Sequence, residues 1–490
     1  MRFKYLLYVI ALLAISNSSF AQYAKDAIRF STFQPGSTSR IKAIGNAGTA
    51  IGGDLSSISG NPAGLGYFTH SELSLTPEFD GYSNNAAYLG QTSQATKNNI
   101  NFSNASVVFY SRLNTPPGQD KTRGWLSLNF GMGYSRTNNF DERVQYGGKN
   151  SANSINDYYA SLANSQGVAD DNLQAWALSE KLIDAFGTPA SYSYASNSFP
   201  GVQQTGNITR TGGQTAYDFS LGANYSNKLY LGFGIGLTDM RYKSTSSFNE
   251  TGSATINENG TAVTRNFNST YSQYQTTKGS GFNARLGVIY KVIESIRLGA
   301  AITTPTFISI DDSFSEGLEN SLSSGKNYSN GPVEYPLSYS MRTPFKAAGG
   351  VSVFLGQYGF ITGDVEYIDY SSTHINSNDN YTNTYDNGLI KANYRSAINA
   401  HAGAELKLGS ALALRGGYGI QGSPLKTNGT TTKMVTGGLG YRVGNYYADA
   451  AYVHLQGSQN IMQYDIGPTT PVAGINATNN NFFLTIGLRY

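Results

Sequence analysis

The sequence predicts an all-β chain closing into a transmembrane barrel of about 14 antiparallel strands, and three observations predict it. After a short apolar leader, no run is long enough for a membrane-crossing helix. Segments of about ten residues alternate apolar with small or polar side chains along most of the chain. The last of them ends on an aromatic, Tyr490, at the C-terminus. Composition agrees, since charged residues are 13% of the chain against roughly 25% in soluble domains. A hydrophobic share of 39% is too high for a disordered chain. The absence of Cys excludes disulfide scaffolds, thiolate metal sites and thiol nucleophiles. A net charge of +3 offers no electrostatic case for nucleic acid.

In chain order, the leader comes first. Arg2 and Lys4 precede an apolar run from Tyr5 to Ile15, and Ser19-Phe20-Ala21 places small residues at −3 and −1. That is a secretory signal peptide over residues 1–21, with cleavage expected after Ala21. Residues 22–71 follow; the stretch from Gly45 to Gly66 is rich in small residues and has no strand period. The barrel is expected over 72–490. In its last strand Phe482, Leu484, Ile486, Leu488 and Tyr490 share one face, with Thr485, Gly487 and Arg489 on the other. Leu231, Phe233, Ile235 and Leu237 alternate with Gly232, Gly234 and Gly236, which predicts lumenal glycines that let a plug or ligand approach the wall. Short links at 226–228, 409–410 and 444–445 alternate with long polar loops, as in outer-membrane barrels. Fourteen strands, between 72–80 and 479–490, return both termini to one side; a split at Gly279–Gly281 would lead to 16.

The segment before the first strand carries a more specific signal. Asn61-Pro62-Ala63-Gly64-Leu65 closes an Ala/Gly-rich run just ahead of residue 72. Further on stand Arg297-Leu298-Gly299 with Thr304-Pro305-Thr306-Phe307, Val365 to Ser371, and Leu414-Arg415-Gly416-Gly417-Tyr418 with Ser423-Pro424. Together these make the chain resemble the long-chain fatty-acid transporter (FadL) family. The resemblance implies a monomer whose N-terminal hatch, residues 22–71, plugs the lumen, with Asn61 to Leu65 as the hatch and gating motif. It also implies sideways release of hydrophobic molecules through a gap in the wall. Gly131 and Gly133 in the third strand are the candidate kink for that gap, or they make room for the hatch.

The long loop at 137–213 has helical character, with Trp176, Leu178, Leu182, Ile183 and Phe186 as an apolar set. By the resemblance this is a groove that captures ligand; the alternative is packing against the loop and barrel rim. Strand parity puts Arg285, Arg297, Arg395 and Arg415 in the lumen together with Lys346, Asp218, Glu405 and Asp449. These cations would either meet a ligand headgroup or form an ion-pair network tethering the hatch. No H-E-x-x-H pair, G-x-S-x-G elbow or Walker loop is present, so neither an enzyme, a metal nor a cofactor is expected. The resulting expectation is passive uptake of long-chain fatty acids or other hydrophobic compounds across a Gram-negative outer membrane, in contact with its lipid. The alternative is a FadL-like barrel acting as a protein shuttle or interaction component of type IX secretion.

Overall fold

The structure, a computed structural model, describes residues 22–490 except Pro35, residues 115–117, Gln119, Asp170, residues 189–190, Asn259 and Tyr381. The expected signal peptide lies outside the described residues. Among the described residues, fourteen antiparallel strands pair in sequence order and close into a barrel. The first five are β1 (Glu72–Tyr88), β2 (Gln91–Phe109), β3 (Trp125–Asn139, continued by Glu142–Asn150), β4 (Val202–Tyr225) and β5 (Leu229–Glu258). Next come β6 (Thr261–Ile293), β7 (Ile296–Thr303 and Phe307–Leu322), β8 (Asn327–Arg342 and Lys346–Phe354) and β9 (Gly359–Asp369). The circuit ends with β10 (Ser396–Leu408), β11 (Leu412–Gln421), β12 (Thr432–Val443), β13 (Tyr446–Ile461) and β14 (Ala473–Arg489). Closure is by β1 against β14, from Glu72↔Arg489 to Ala87↔Gly474.

The alternation read from the sequence maps onto the two faces of this wall. Phe482, Leu484 and Ile486 point outward and are exposed, while Phe483 and Thr485 are buried inside. Cross-strand pairing carries the outward row around the barrel, for example Leu221↔Phe233 and Phe233↔Leu286. The result is an apolar belt whose backbone groups pair with neighbouring strands along the ladders, which is how strands cross a bilayer.

Several strands run further than their apolar pattern predicts. β5 and β6 are 30 and 33 residues long, where about 9–11 suffice to span. β1 and β2 meet in a tight turn at Leu89–Gly90, both at positive φ, where the sequence read as a long loop. Likewise the expected loop 137–213 begins as sheet, since Glu142–Asn150 pairs with the start of β4. The reason is physical: above the belt the outward face meets water, so the apolar half of the alternation disappears while the pairing continues.

Inside the barrel, residues 22–68 run from the long-loop end to the short-turn end. Helix α1 (Gln22–Ser31) packs through Ala27 and Phe30 on Met240 and Tyr242 of β5. Helix α2 (Ser39–Ala43) follows, then 3₁₀ turns at Leu55–Ile58 and Pro62–Tyr67. The last turn reaches Gly232, ten residues back along β5 from Tyr242, or about 33 Å of strand. Close approach depends on glycine. Gly403 and Gly417 are cross-strand partners, and a Cβ on them would lie 2.3 Å from Ile44 O and Gly45 N respectively. Beside them Thr436 Oγ1 donates to Ala43 O at 2.8 Å and accepts from Gly45 N at 3.0 Å. Gly417→Leu is therefore expected to destabilise the protein by about 1–3 kcal/mol through overpacking. The adjacent Gly416→Ala, whose Cβ meets only a carbonyl 3.9 Å away, is expected to be silent. Unfolding midpoints in detergent check both, and equal midpoints for the two variants would refute the packing account.

Candidate functional site

The motif from Asn61 to Leu65 docks on a patch of wall stripped of side chains. Gly222, Gly232 and Gly287 are successive cross-strand partners on β4, β5 and β6. A Cβ on Gly232 would sit 2.1 Å from Ala63 N, and one on Gly287 would sit 1.9 Å from Asn61 Oδ1. Into that flat spot Asn61 sends its Nδ2, donating to Thr49 O at 2.8 Å and to Val288 O and Ala300 O at 3.3 Å. Pro62 opens the 3₁₀ turn, where its missing N–H costs nothing. Gly64 has no room for a side chain against Ser57, and Leu65 is fully buried with Leu55, Ile58 and Val108. Only Gly232 of the three alternating glycines faces this segment. Gly234 makes room for Ser220, and Gly236 for the Arg285–Asp218 pair.

The predicted lumenal cations are already engaged. Arg285 pairs with Asp218 at 2.6 Å and donates to Ile58 O at 3.3 Å. Arg297 donates to Ile51 O and lies over the rings of Tyr67 and Phe354, at 4.3 and 3.9 Å. Arg415 bridges Glu405 at 2.8 Å and Asp449 at 2.6 Å, and Arg40 of α2 shares Glu405 at 2.9 Å. Arg395 departs from expectation: it stands before β10 rather than in it, is exposed, and its Nε faces Ser423 O at 3.5 Å. A helix, α5 (Asn387–Asn393), occupies the turns where the strand was predicted to start. Arg415→Met would leave two buried carboxylates short of a cation, and a loss of about 3–5 kcal/mol is expected. Adding Asp449→Asn, which leaves Glu405 its Arg40 partner, should recover most of it in the same unfolding assay; no recovery would refute the pairing energetics.

Between β2 and β3 the wall is incomplete. Their ladder covers only Asn104↔Ser135 to Phe109↔Phe130. Beyond Asn104, β2 pairs with β1 alone among the described residues. Both lips are bulged at this level: β2 against β1 beside Thr76/Pro77, and β3 against β4 between Arg136 and Asn138. A bulge turns a strand away from its neighbour, so two of them at one level open a window. The candidate kink at Gly131 and Gly133 is thus displaced. Both glycines stay in register with β2 and β4; Gly131 makes room for Ile58 and Leu65, and Gly133 for Ser106 Oγ. Inside the window the N-terminal segment supplies the missing partners. Gln34 N donates to Thr137 O at 2.8 Å, Asn104 Nδ2 to Gly36 O at 3.2 Å, and Asn138 Nδ2 to Thr32 O at 2.9 Å. Above it Lys97 Nζ rejoins the two sides through Asp141 at 2.8 Å and Arg210 O at 2.7 Å. None of these residues stood out in the sequence, because bulges and their substitute hydrogen bonds have no periodic signature.

Next to the window lies an internal cavity of about 160 Å³ between the N-terminal segment and the wall. Phe30, Phe33, Ile41 and Ile51 line one side, with Lys346 and His401 on the other. Lys346 Nζ lies 3.7 Å from the Phe33 ring centroid. The apolar lumenal residues Ile289, Phe354 and Phe483 are not open to it, because each packs in a cluster with the inner segment.

At the long-loop end helices α3 (Ile155–Gln166) and α4 (Leu173–Ser179) cap the mouth. Trp176, Leu182 and Ile183 are buried with Tyr159, Phe248 and Leu318, and Leu178 packs against them. The apolar set is therefore the core of the cap, and no exposed groove lies along it among the described residues. Phe186 alone of the five is exposed. Ile183 and Phe186 belong not to a helix but to a hairpin, Ile183–Phe186 with Ser193–Ser196, since the helix stops at Ser179. Next to that stop Glu180 is buried; Asn330 Nδ2 donates to its Oε1 at 2.8 Å, and no cation neutralises it among the described residues. Burial, with Glu319 nearby, pushes this carboxyl up to about 8. A raised carboxyl stabilises the cap fully below the ordinary value near 4.5, and that stability is lost as pH rises through about 8. Hydrogen exchange of α4 is expected to slow from pH 9 to pH 5 beyond the intrinsic rate change. In Glu180→Gln that excess pH dependence should vanish; its persistence would refute the assignment.

A closed barrel with an apolar outer belt, an occupied lumen and a window in its wall defines a transmembrane β-barrel of the outer-membrane type. Solved structures share this fold. Over 94% of this chain and 99% of the other, it is similar to a Pseudomonas aeruginosa FadL homologue, with 13% identity and a TM-score of 0.55. It is similar to the P. putida toluene transporter TodX over 93% and 99%, with 12% identity and a TM-score of 0.52. The monoaromatic hydrocarbon channel CymD matches over 94% and 99%, with 11% identity and a TM-score of 0.50. No protein-family model and no curated protein sequence matches the chain.

Proposed function

We propose that the chain is a passive, monomeric outer-membrane channel of the FadL kind for hydrophobic compounds, either long-chain fatty acids or aromatic hydrocarbons. In this reading residues 22–71 are a hatch, α3 and α4 an outer cap, and the break between β2 and β3 the sideways exit into the membrane. The window carries the proposal. An aqueous pore is a poor path for an apolar solute, which gains about 0.8 kcal/mol per CH₂ on leaving water. A blocked lumen with a lateral opening at the apolar belt spares it that step. Structures sharing the fold, a toluene transporter and a monoaromatic hydrocarbon channel, support the same class of solute. Because Arg285, Arg297 and Arg415 are committed to the wall and hatch, headgroup selection falls to Lys346 at the cavity, and neutral solutes need no cation at all.

Two measurements test this. Organic extracts of the detergent-purified protein, set against an unrelated barrel, are expected to be enriched in a lipid or hydrocarbon. A clean extract accompanied by a stoichiometric protein partner would favour the shuttle instead. Deleting residues 22–65 is expected to raise single-channel ion conductance several-fold in planar bilayers, and unchanged conductance would sink the hatch assignment.

A further inference from the structure

The outer face of the barrel carries a groove beside the window. Gly437, Tyr452, Phe482, Phe79 and Ile100 are successive cross-strand partners on β12, β13, β14, β1 and β2. Their row is the upper edge of the apolar belt, since the next outward residues on β14 and β2 are Asn480 and Asn98. The rings of Tyr452 and Phe482 are 4.9 Å apart, and those of Phe482 and Phe79 are 6.5 Å apart, so they form a continuous aromatic ridge. One step below, Leu439, Ala450 and Leu484 are again cross-strand partners. Where Gly437, Ala450 and Pro77 leave side-chain volume missing, a groove of about 530 Å³ lies against the ridge. That volume is within the roughly 300–1,000 Å³ of small-molecule sites.

The groove ends at Ile100, on the unpaired lip of the window. Ile100 is 81% exposed, more than any other large hydrophobic side chain among the described residues, because β2 has no neighbour on that side. Its neighbour along the lip, Phe102, is 51% exposed. An apolar molecule passing the window at this height emerges directly onto Ile100, with the aromatic ridge between it and the polar zone above. We infer that the groove is an exit track: it takes the alkyl or aryl body of the departing solute and leads it across β1, β14 and β13 before release. Continuity with the window singles out the solute over a resident membrane lipid. The inference rests on the channel reading of the chain.

The test fills the track from outside. Ala450→Trp and Gly437→Leu each place bulk on its floor, away from lumen and hatch, while Leu406→Trp places a Trp on the lipid-facing side of β10. In proteoliposomes given radiolabelled oleate or toluene, the two groove variants are expected to take up solute at least threefold more slowly than wild type, and Leu406→Trp at the wild-type rate. Heat-modifiability on gels reports folding. On the wild-type chain in nanodiscs, a diazirine-bearing fatty acid supplied from the aqueous side should label Tyr452, Phe482 or Leu484. Wild-type uptake with equal rates in folded groove variants would overturn the track while leaving the channel intact. Labelling of these residues by a photoactivatable phospholipid but not by the fatty acid would do the same, assigning the groove to membrane lipid. Failure of wild type to take up either solute would instead remove the channel reading itself.

Discussion

Within a bilayer every backbone N–H and C=O needs a partner from the protein, and the rest of this structure follows from how that demand is met. Thirteen of the seams between strands meet it by ladder pairing, closed by β1 against β14. The β2–β3 seam meets it over six residue pairs and, nearer the short turn, at a bridge between Arg112 and Ser127. Above them the backbone of the N-terminal segment acts as a substitute, through Gln34 N to Thr137 O and Gly36 O to Asn104. The segment inside the barrel is thus more than filler, since its backbone gives Thr137 O a partner and accepts from the Asn104 side chain where β2 and β3 have no ladder.

The same segment is held elsewhere by two devices of different reach. Glycine rows at Gly222–Gly232–Gly287 and Gly403–Gly417 let backbone lie on backbone, a short-range fit that tolerates no added methyl group. An ion pair from Arg40 reaches from the segment to Glu405 on the wall, and hydrogen bonds from Arg285 and Arg297 reach the segment from the wall. Those charges are paired or hydrogen-bonded at little solvent exposure, so they set position and register more than they add stability. The arrangement is packed near Asn61 and α2, and beside the window it combines the polar contact of Gln34 with a close approach of Gly36 to β3, where a Cβ would lie 2.7 Å from Arg136 N.

Much of the architecture was legible because alternation against lipid is a strong local signal. The fourteen strands, the short turns and the outward set from Leu231 to Leu237 follow from it directly. The motif at Asn61–Leu65 was legible by resemblance, and the ion-pair reading of Arg285 and Arg415 by strand parity. What failed did so for identifiable reasons. The upper halves of β1, β2, β5 and β6 face water on their outer side and lose the apolar half of their pattern. The spacing of Trp176, Leu182 and Ile183 reads as one helix, yet Lys181 at positive φ ends it and sends Ile183 into a hairpin. Gly131 and Gly133 left two readings open, a kink or room for the inner segment, because a glycine in a strand serves close approach as readily as bending, and only its neighbours distinguish the two.

By itself the sequence determined the closed barrel, the orientation of each strand's faces and the presence of a non-strand segment ahead of them. Those are matters of local side-chain period and solvent, which neighbouring residues along the chain decide. The tertiary structure alone decided which glycine faces the segment, which cation is already paired, and where the wall opens. Each depends on residues far apart in sequence: Ala63 against Gly232, Arg40 with Glu405, Gln34 against Thr137. The window exists because two bulges, on β2 and on β3, fall at one height in the barrel, and that height is set by strand register around the closed sheet.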